Sequence, residues 1–228
     1  DPLWSRGLGD VYKRQGALIL WLIVGIGLGI IAARFRDTPV DTGSTVFVLI
    51  GTSLPTFVTG LLLLIFLTLK TGIIPLNLDG YISIFSDPPR FFMYFLLPWI
   101  TLAFAFSAIY TRYTRSAVIE TSSEDYIRTA RAKGLTQAVI LRKHTLRAAI
   151  APLVTMAGLD FAGLLGGAIL TETIFDLPGL GRMSLKAVYD FDLPIVLACT
   201  LLAATIVIVM NLIVDLLYSV LDPRVRVS

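Results

Sequence analysis

Side chains that carry chemistry are scarce in this sequence. Among 228 residues there is one cysteine, Cys199, and one histidine, His144. A single cysteine excludes a disulfide framework within the chain and any multi-cysteine metal site. A lone histidine leaves the usual zinc ligand sets unfilled. No G-x-x-x-x-G-K-[ST] run occurs, so the chain has no P-loop for a nucleotide. No nucleophile–base pair is spelled out either, which leaves no catalytic residue, metal site or cofactor to assign. Charge is thin as well. Asp, Glu, Lys and Arg make up 15% of the chain, where globular domains carry about 25%. The net charge of +3 is small, but its distribution along the chain is informative, and no nucleic-acid partner is expected.

What is abundant is apolar side chain, 56% of the total, gathered in runs of about 18 residues or more, the length that spans a bilayer as a helix. Five such runs are read: 16–33, 43–69, 91–111, 152–171 and 193–218. This predicts an all-α membrane protein of about five transmembrane helices. Residues 1–15, DPLWSRGLGDVYKRQ, do not fit. They are short and polar, the composition changes abruptly at Gly16, and they resemble a translated adapter sequence, so they are set outside the fold. The natural start of the protein is then expected upstream. In the first run, Gly25 and Gly29 form a small-xxx-small face for close helix approach. Pro55 lies inside the second run and predicts a kink, with Thr56 among the neighbouring hydroxyls that either line a polar path or simply pack. Tyr94 and Trp99, and Tyr110 and Tyr113, suit the interfacial belts of the third run. Asp160 stands inside the fourth run. A carboxylate there is expensive in hydrocarbon and marks a substrate-path candidate, with an interhelical polar contact as the alternative. Asn211 falls near the end of the last run.

Basic residues set the orientation. The stretches after the first and third runs and the C-terminal tail hold twelve Lys and Arg, against four in the two alternate loops. The positive-inside rule places the richer side in the cytoplasm. It contains residues 112–150, the one long charged segment. Within it, Thr121 and Glu124 read as a capping box, Asp125 complements the helix dipole, and Gly134 reads as a left-handed C-cap. Thr136 is placed to cap a second short helix. Small residues at Ala130, Ala132 and Gly134 suit entry into a partner's groove. A basic helix resting on anionic lipid fits equally well, and charge and periodicity alone do not separate the two.

The segment Asp125-Tyr126-Ile127-Arg128-Thr129-Ala130-Arg131-Ala132-Lys133-Gly134-Leu135, with Lys143-His144 and Leu146-Arg147 before Pro152, closely resembles the cytoplasmic EAA loop of ABC-importer permeases. The variant is that of the dipeptide/oligopeptide/nickel branch (the DppB/OppB type). The run Glu172 to Arg182, ETIFDLPGLGR, with Pro178, Gly179 and Gly181, resembles that branch's outer loop, and Leu221-Asp222-Pro223-Arg224 its C-terminal signature. The glutamate of the generic EAA pattern is not kept; Thr129 or Arg128 stands there, as is usual in this branch. The resemblance covers residues 16–228 and implies a permease domain whose five spans are the last five of six, with 112–150 as the EAA loop.

The resemblance further implies a translocation pathway for peptides, nickel or glutathione-like solutes, shared with a second homologous permease in the bacterial or archaeal inner membrane. Two ABC ATPase subunits dock beneath it, and a periplasmic or lipid-anchored binding protein delivers substrate. Tyr126 to Leu135 would then be the coupling helix, with Asp125, Arg128, Ala130, Arg131, Ala132, Lys133, Gly134 and His144 among the coupling residues, and the ATPase activity would belong to the partner subunits. A stand-alone secondary transporter or channel is the rival from a different class. It is expected to show more intramembrane charge and paired interrupted helices. An intramembrane enzyme would need more than Asp160 alone.

Overall fold

The structure is a computed structural model. It describes the backbone of residues 3–74, 84, 85, 87–177 and 179–221, and the side chains among these outside 3–12, 151, 161–168, 210 and 213–221. The helices are α1 (Leu3–Arg34), α2 (Pro39–Ser53), α3 (Thr56–Leu63), α4 (Pro88–Ser122), α5 (Asp125–Ala132), α6 (Gln137–Val139), α7 (Leu146–Ile174), α8 (Leu180–Tyr189) and α9 (Leu193–Leu221). Two π-helical stretches, Leu64–Lys70 and Ile140–Thr145, follow α3 and α6. No strand occurs among the described residues, so the fold class is all-α. Lys13–Arg34 and Pro88–Ser122 are each long and apolar enough to cross a bilayer, and the bent pair α2–α3 makes a third such segment. Leu193–Val209 of α9 is a shorter apolar helix. Thus α1, α2–α3, α4, α7 and α9 stand at the places of the five predicted spans.

The fold is built on α1 and α4, which lie side by side and run parallel. The glycines of α1 fix the register. A Cβ added at Gly25 would stand 2.6 Å from Tyr110 Cβ, and one at Gly29 2.5 Å from Thr114 Cβ and 2.8 Å from the Thr111 carbonyl oxygen. Only glycine allows backbones this close. Gly27, between them, meets nothing within 4 Å, because residues two apart on a helix point to different sides. Around this seam Ala17, Trp21, Leu102, Ala103, Tyr110 and Ala157 form the core, and Trp21 stacks on Phe106 with ring centroids 4.6 Å apart. Cys199 is buried in α9, in keeping with a packing role.

Across the composition change at Gly16, α1 runs without a break from Leu3, and Lys13 is buried with its Nζ 2.5 Å from Glu172 Oε1. Several sequence expectations are corrected. The second span is broken rather than kinked. Leu54 is extended (φ −87°, ψ 122°) and α3 leaves α2 at 103°. Proline supplies no N–H to the preceding turn and biases the residue before it away from helix. Tyr110 belongs to no interfacial belt, since it is fully buried. The helix that holds the third apolar run does not stop at Thr111; α4 runs on to Ser122. Thr121 is therefore inside α4 and forms no capping box, and Glu124 caps α5 by position, with no side-chain bond.

At its basic end α4 is tied to α2. Arg115 donates from Nε to Asp41 Oδ1 at 2.6 Å and from a terminal nitrogen to Oδ2 at 2.7 Å. The Asp37 N–H also donates to Asp41 Oδ2, at 3.1 Å. A bidentate guanidinium–carboxylate pair is strong and geometrically specific.

Gly29→Leu is expected to lower thermal stability in detergent through overpacking worth about 1–3 kcal/mol. Gly27→Leu, built into open space, is expected to leave it unchanged. Equal unfolding midpoints for the two variants, read by tryptophan fluorescence, would show that the α1–α4 seam is not close-packed.

Candidate functional site

The charged segment folds into a short amphipathic helix set on a hinge. α5 begins at Glu124 and carries Asp125 in its first turn and Arg131 in its last, charges that complement the helix dipole. Its C-terminus is a Schellman motif. Gly134 takes φ +78°, its N–H donates to the Arg131 carbonyl at 2.9 Å, and the Leu135 N–H donates to the Ala130 carbonyl at 3.4 Å. This left-handed residue is where glycine is favoured, so the expected C-cap is in place.

One face of α5 is held by its own chain. Ile127 (0% exposed) and Ala130 (6%) form a cluster with Ile140 (2%) of the second π-helical stretch. Within its own chain Ala130 is the small residue that lets α5 sit on Ile140. Around the rest of α5 and its C-terminal cap stand Asp125, Tyr126, Arg128, Arg131, Ala132, Lys133, Gly134 and Leu135, all exposed. Tyr126 is 46% exposed and Leu135 39%, so an aromatic and a leucine stand among the cations. Asp125 and Arg128 make an exposed pair at 3.3 Å. His144 is half-buried in the π-helical stretch. That stretch continues directly into α7 at Leu146. A displacement of α5 thus has a packed route, through Ile140, into the start of a 29-residue helix.

The substrate-path candidates lie deeper. Tyr110 donates from its hydroxyl to Asp160 Oδ2 at 2.7 Å, which joins α4 to α7. Thr56 is the first residue of α3, just past the break, and Asn211 is on α9; both are half-buried. Neither is hydrogen-bonded to Asp160 among the described residues. Tyr110 was missed as Asp160's partner because it sits fifty residues earlier and reads equally well as a belt tyrosine.

On the opposite end, the Glu172–Arg182 run wraps its backbone around one carboxylate. Glu172 is fully buried. Its Oε2 accepts from the Arg182 N–H at 2.9 Å, and its carbonyl accepts from the Leu177 N–H at 2.9 Å. A Cβ at Gly179 would lie 2.3 Å from Glu172 Cδ, and one at Gly181 2.6 Å from Ile169 Cγ1. Asp176, at φ 52°, pairs with Arg182. The two glycines thus leave room for the buried carboxylate. Pro178 and the terminal Asp222-Pro223-Arg224 lie outside the described residues.

The sequence matches the family described as the inner membrane component of binding-protein-dependent transport systems, over residues 25–227. It is 38% identical over 209 residues to a probable peptide ABC transporter permease, y4tP, of Sinorhizobium fredii, covering 92% of this chain and 66% of that protein. It is 36% identical over 226 residues to the glutathione transport system permease protein GsiC of Escherichia coli, covering 99% of this chain and 71% of that protein. Among solved structures, the fold is similar to one of the inward-facing conformations of the MetNI methionine ABC transporter, with a TM-score of 0.76, 17% identity and 96% of each chain covered. It is also similar to an amino acid ABC transporter solved with histidines, at a TM-score of 0.58, 19% identity, and 94% and 91% coverage. The family match and the two identities together show that this chain belongs to the inner membrane components of binding-protein-dependent transport systems.

Proposed function

We propose that residues 16–228 form the permease domain of an ATP-driven ABC importer, with residues 112–150 on the cytoplasmic side of the inner membrane. The chain shares a translocation pathway with a second homologous permease. Two ATPase subunits dock beneath and a binding protein delivers the solute from the other side. The observation that carries this reading is α5: a helix fixed to its own chain through Ile127 and Ala130 and presenting Tyr126, Arg128, Arg131, Lys133 and Leu135 outward. When ATP draws the ATPases together, α5 moves with them and α7 follows. The importer alternates between inward- and outward-facing states because the two states bind the partners differently. Hydrolysis belongs to the ATPases, and this chain does no covalent chemistry.

The substrate class is peptide-like. The support is the motif resemblance and two relatives whose names state peptide and glutathione transport. Asp160, with Thr56 and Asn211, is assigned to the pathway, and the Tyr110 hydroxyl orients the Asp160 carboxylate there. The rival secondary carrier is expected to have paired interruptions, whereas α2–α3 is one broken pair among the described residues.

Gly134→Asp puts a side chain at a left-handed position that Asp tolerates better than most residues, so its main effect is a negative charge at a helix C-terminus, which the dipole disfavours, on the surface that would meet the ATPase. In the assembled importer it is expected to lose the ATPase subunits on detergent purification while still inserting. Gly134→Asn, accepted in that conformation and uncharged, is expected to retain them. A wild type that retains no ATPase would sink the importer reading and send the next assay to ion-driven uptake in vesicles. Asp160→Asn is expected to keep the complex intact and shift relative uptake of acidic and basic dipeptides by on the order of tenfold, about 1.4 kcal/mol. Loss of assembly instead would make Asp160 a structural contact.

A further inference from the structure

Beside α5 and the C-terminal ends of α1 and α4, an open cavity of about 560 Å3 is lined by residues from all three. Arg36 enters it from the turn after α1, and Arg128 and Arg131, three residues apart, from α5. Glu120 is the one carboxylate in the lining, so the cavity carries a surplus of two positive charges. The acids that do pair with these arginines sit at the rim. Arg36 reaches Asp37 at 3.4 Å and Arg128 reaches Asp125 at 3.3 Å, with Asp37 82% and Asp125 94% exposed. Exposed pairs of this kind hold weakly. Arg131 has no carboxylate within 4.0 Å among the described residues. The Ser122 and Ser123 hydroxyls in the lining donate to the Val118 and Glu120 carbonyls, both at 2.6 Å. The donors left for a ligand are therefore guanidinium groups. Planar guanidinium forks match phosphate oxygens in a bidentate way, and the weakly held Arg36 and Arg128 can turn to an anion that Arg131, with no carboxylate beside it, also reaches.

The apolar part of the lining bears on the source of that anion. Along the α1–α4 seam Gly29 abuts Thr114, and one turn further Ala33, Val118 and Ile119 line the cavity. α1 ends at Arg34 and α4 at Ser122, and both are long and apolar enough to cross a bilayer. The cavity thus lies at the ends of two membrane-length helices, with apolar side chains and three arginines in one lining. A soluble anion uses only the cations, whereas a phospholipid can use both, with phosphate on the arginines and glycerol beside Ala33 and Ile119.

We propose that this cavity binds the phosphate of an anionic phospholipid headgroup, clamped by Arg36, Arg128 and Arg131, and that the bound lipid ties α5 to the end of α1. The site needs only the membrane placement of the chain. Its consequence for ATPase coupling rests on the importer reading, so binding is measured on the chain without partner subunits. Native mass spectrometry of the full chain in uncharged detergent, titrated with dioctanoyl phosphatidylglycerol, is expected to show one saturable lipid, with dioctanoyl phosphatidylcholine binding about tenfold more weakly. The double variant Arg36→Gln/Arg131→Gln is expected to weaken phosphatidylglycerol binding by about tenfold or more, while Lys186→Gln at the opposite end leaves it unchanged and controls for loss of a surface charge. Arg36→Lys/Arg131→Lys keeps charge but not the fork and is expected to fall between. Equal binding of the two lipids, or equal affinity in wild type and the double Gln variant, overturns the site. Displacement of the lipid by inorganic phosphate at matching concentration overturns the membrane source and leaves a soluble phosphate as ligand.

Discussion

Everything in this bundle is referred to the line where α1 touches α4. Hydrocarbon is as apolar as leucine, so helices in a membrane gain little from hiding leucine from it and associate through close packing and polar contacts instead. Gly25 and Gly29 supply the close packing, bringing α1 against the Ser107 and Thr111 carbonyl oxygens. Once the seam is made, the far faces of α4 become available. Tyr110 reaches α7 at Asp160, and Arg115 reaches α2 at Asp41. Both contacts are polar and both start from α4, so α4 is the post for α2 and α7, while α9 packs on α7 and α8. An Arg115 guanidinium held in a bidentate grip keeps Asp41 in its ionised form, and the pair acts as a fixed brace at the basic end.

The parts of this fold legible in the sequence are those governed by local rules. Run length located the spans, i,i+4 spacing picked out Gly25 and Gly29 and left Gly27 aside, and a glycine after a basic last turn marked the end of α5. What was not legible depends on who the neighbour is. Ala130 reads as a small residue offered to a partner, and its contact with Ile140 ten positions on is not spelled in the motif. Thr121 and Glu124 have the spacing of a capping box, but α4 continues through Thr121 because nothing in residues 112–122 breaks it. Pro55 announced a disturbance and not its size; a 103° turn needs the surrounding helices to hold two short segments apart. The abrupt composition change at Gly16 was a chemical boundary that the helix ignores.

The functional element is likewise divided between legible and hidden parts. Its exposed face could be listed from the motif, because side chains that meet a partner are the ones the chain's own packing leaves alone. Its mechanical connection could not, since that connection is the contact of Ile127 and Ala130 with Ile140 and the uninterrupted passage from the π-helical stretch into α7. Fold similarity at 17% identity supports the architecture, while the two relatives at 38% and 36% supply the family.

The broken second span has a consequence for hydration. Gly51 lies against Ala108 and Gly60 near Thr101, so the break at Leu54–Pro55 falls level with the middle of α4. No described N–H reaches the carbonyl oxygens of Gly51, Thr52 or Ser53 across it. Acyl chains offer such oxygens nothing, and bare carbonyls at that depth are not tolerated. The last turn of α2 therefore calls for a donor from outside this backbone, water or another polar surface, at a place flanked by the exposed Leu49, Ile50 and Phe57, so the break asks for a polar neighbour in an otherwise greasy wall.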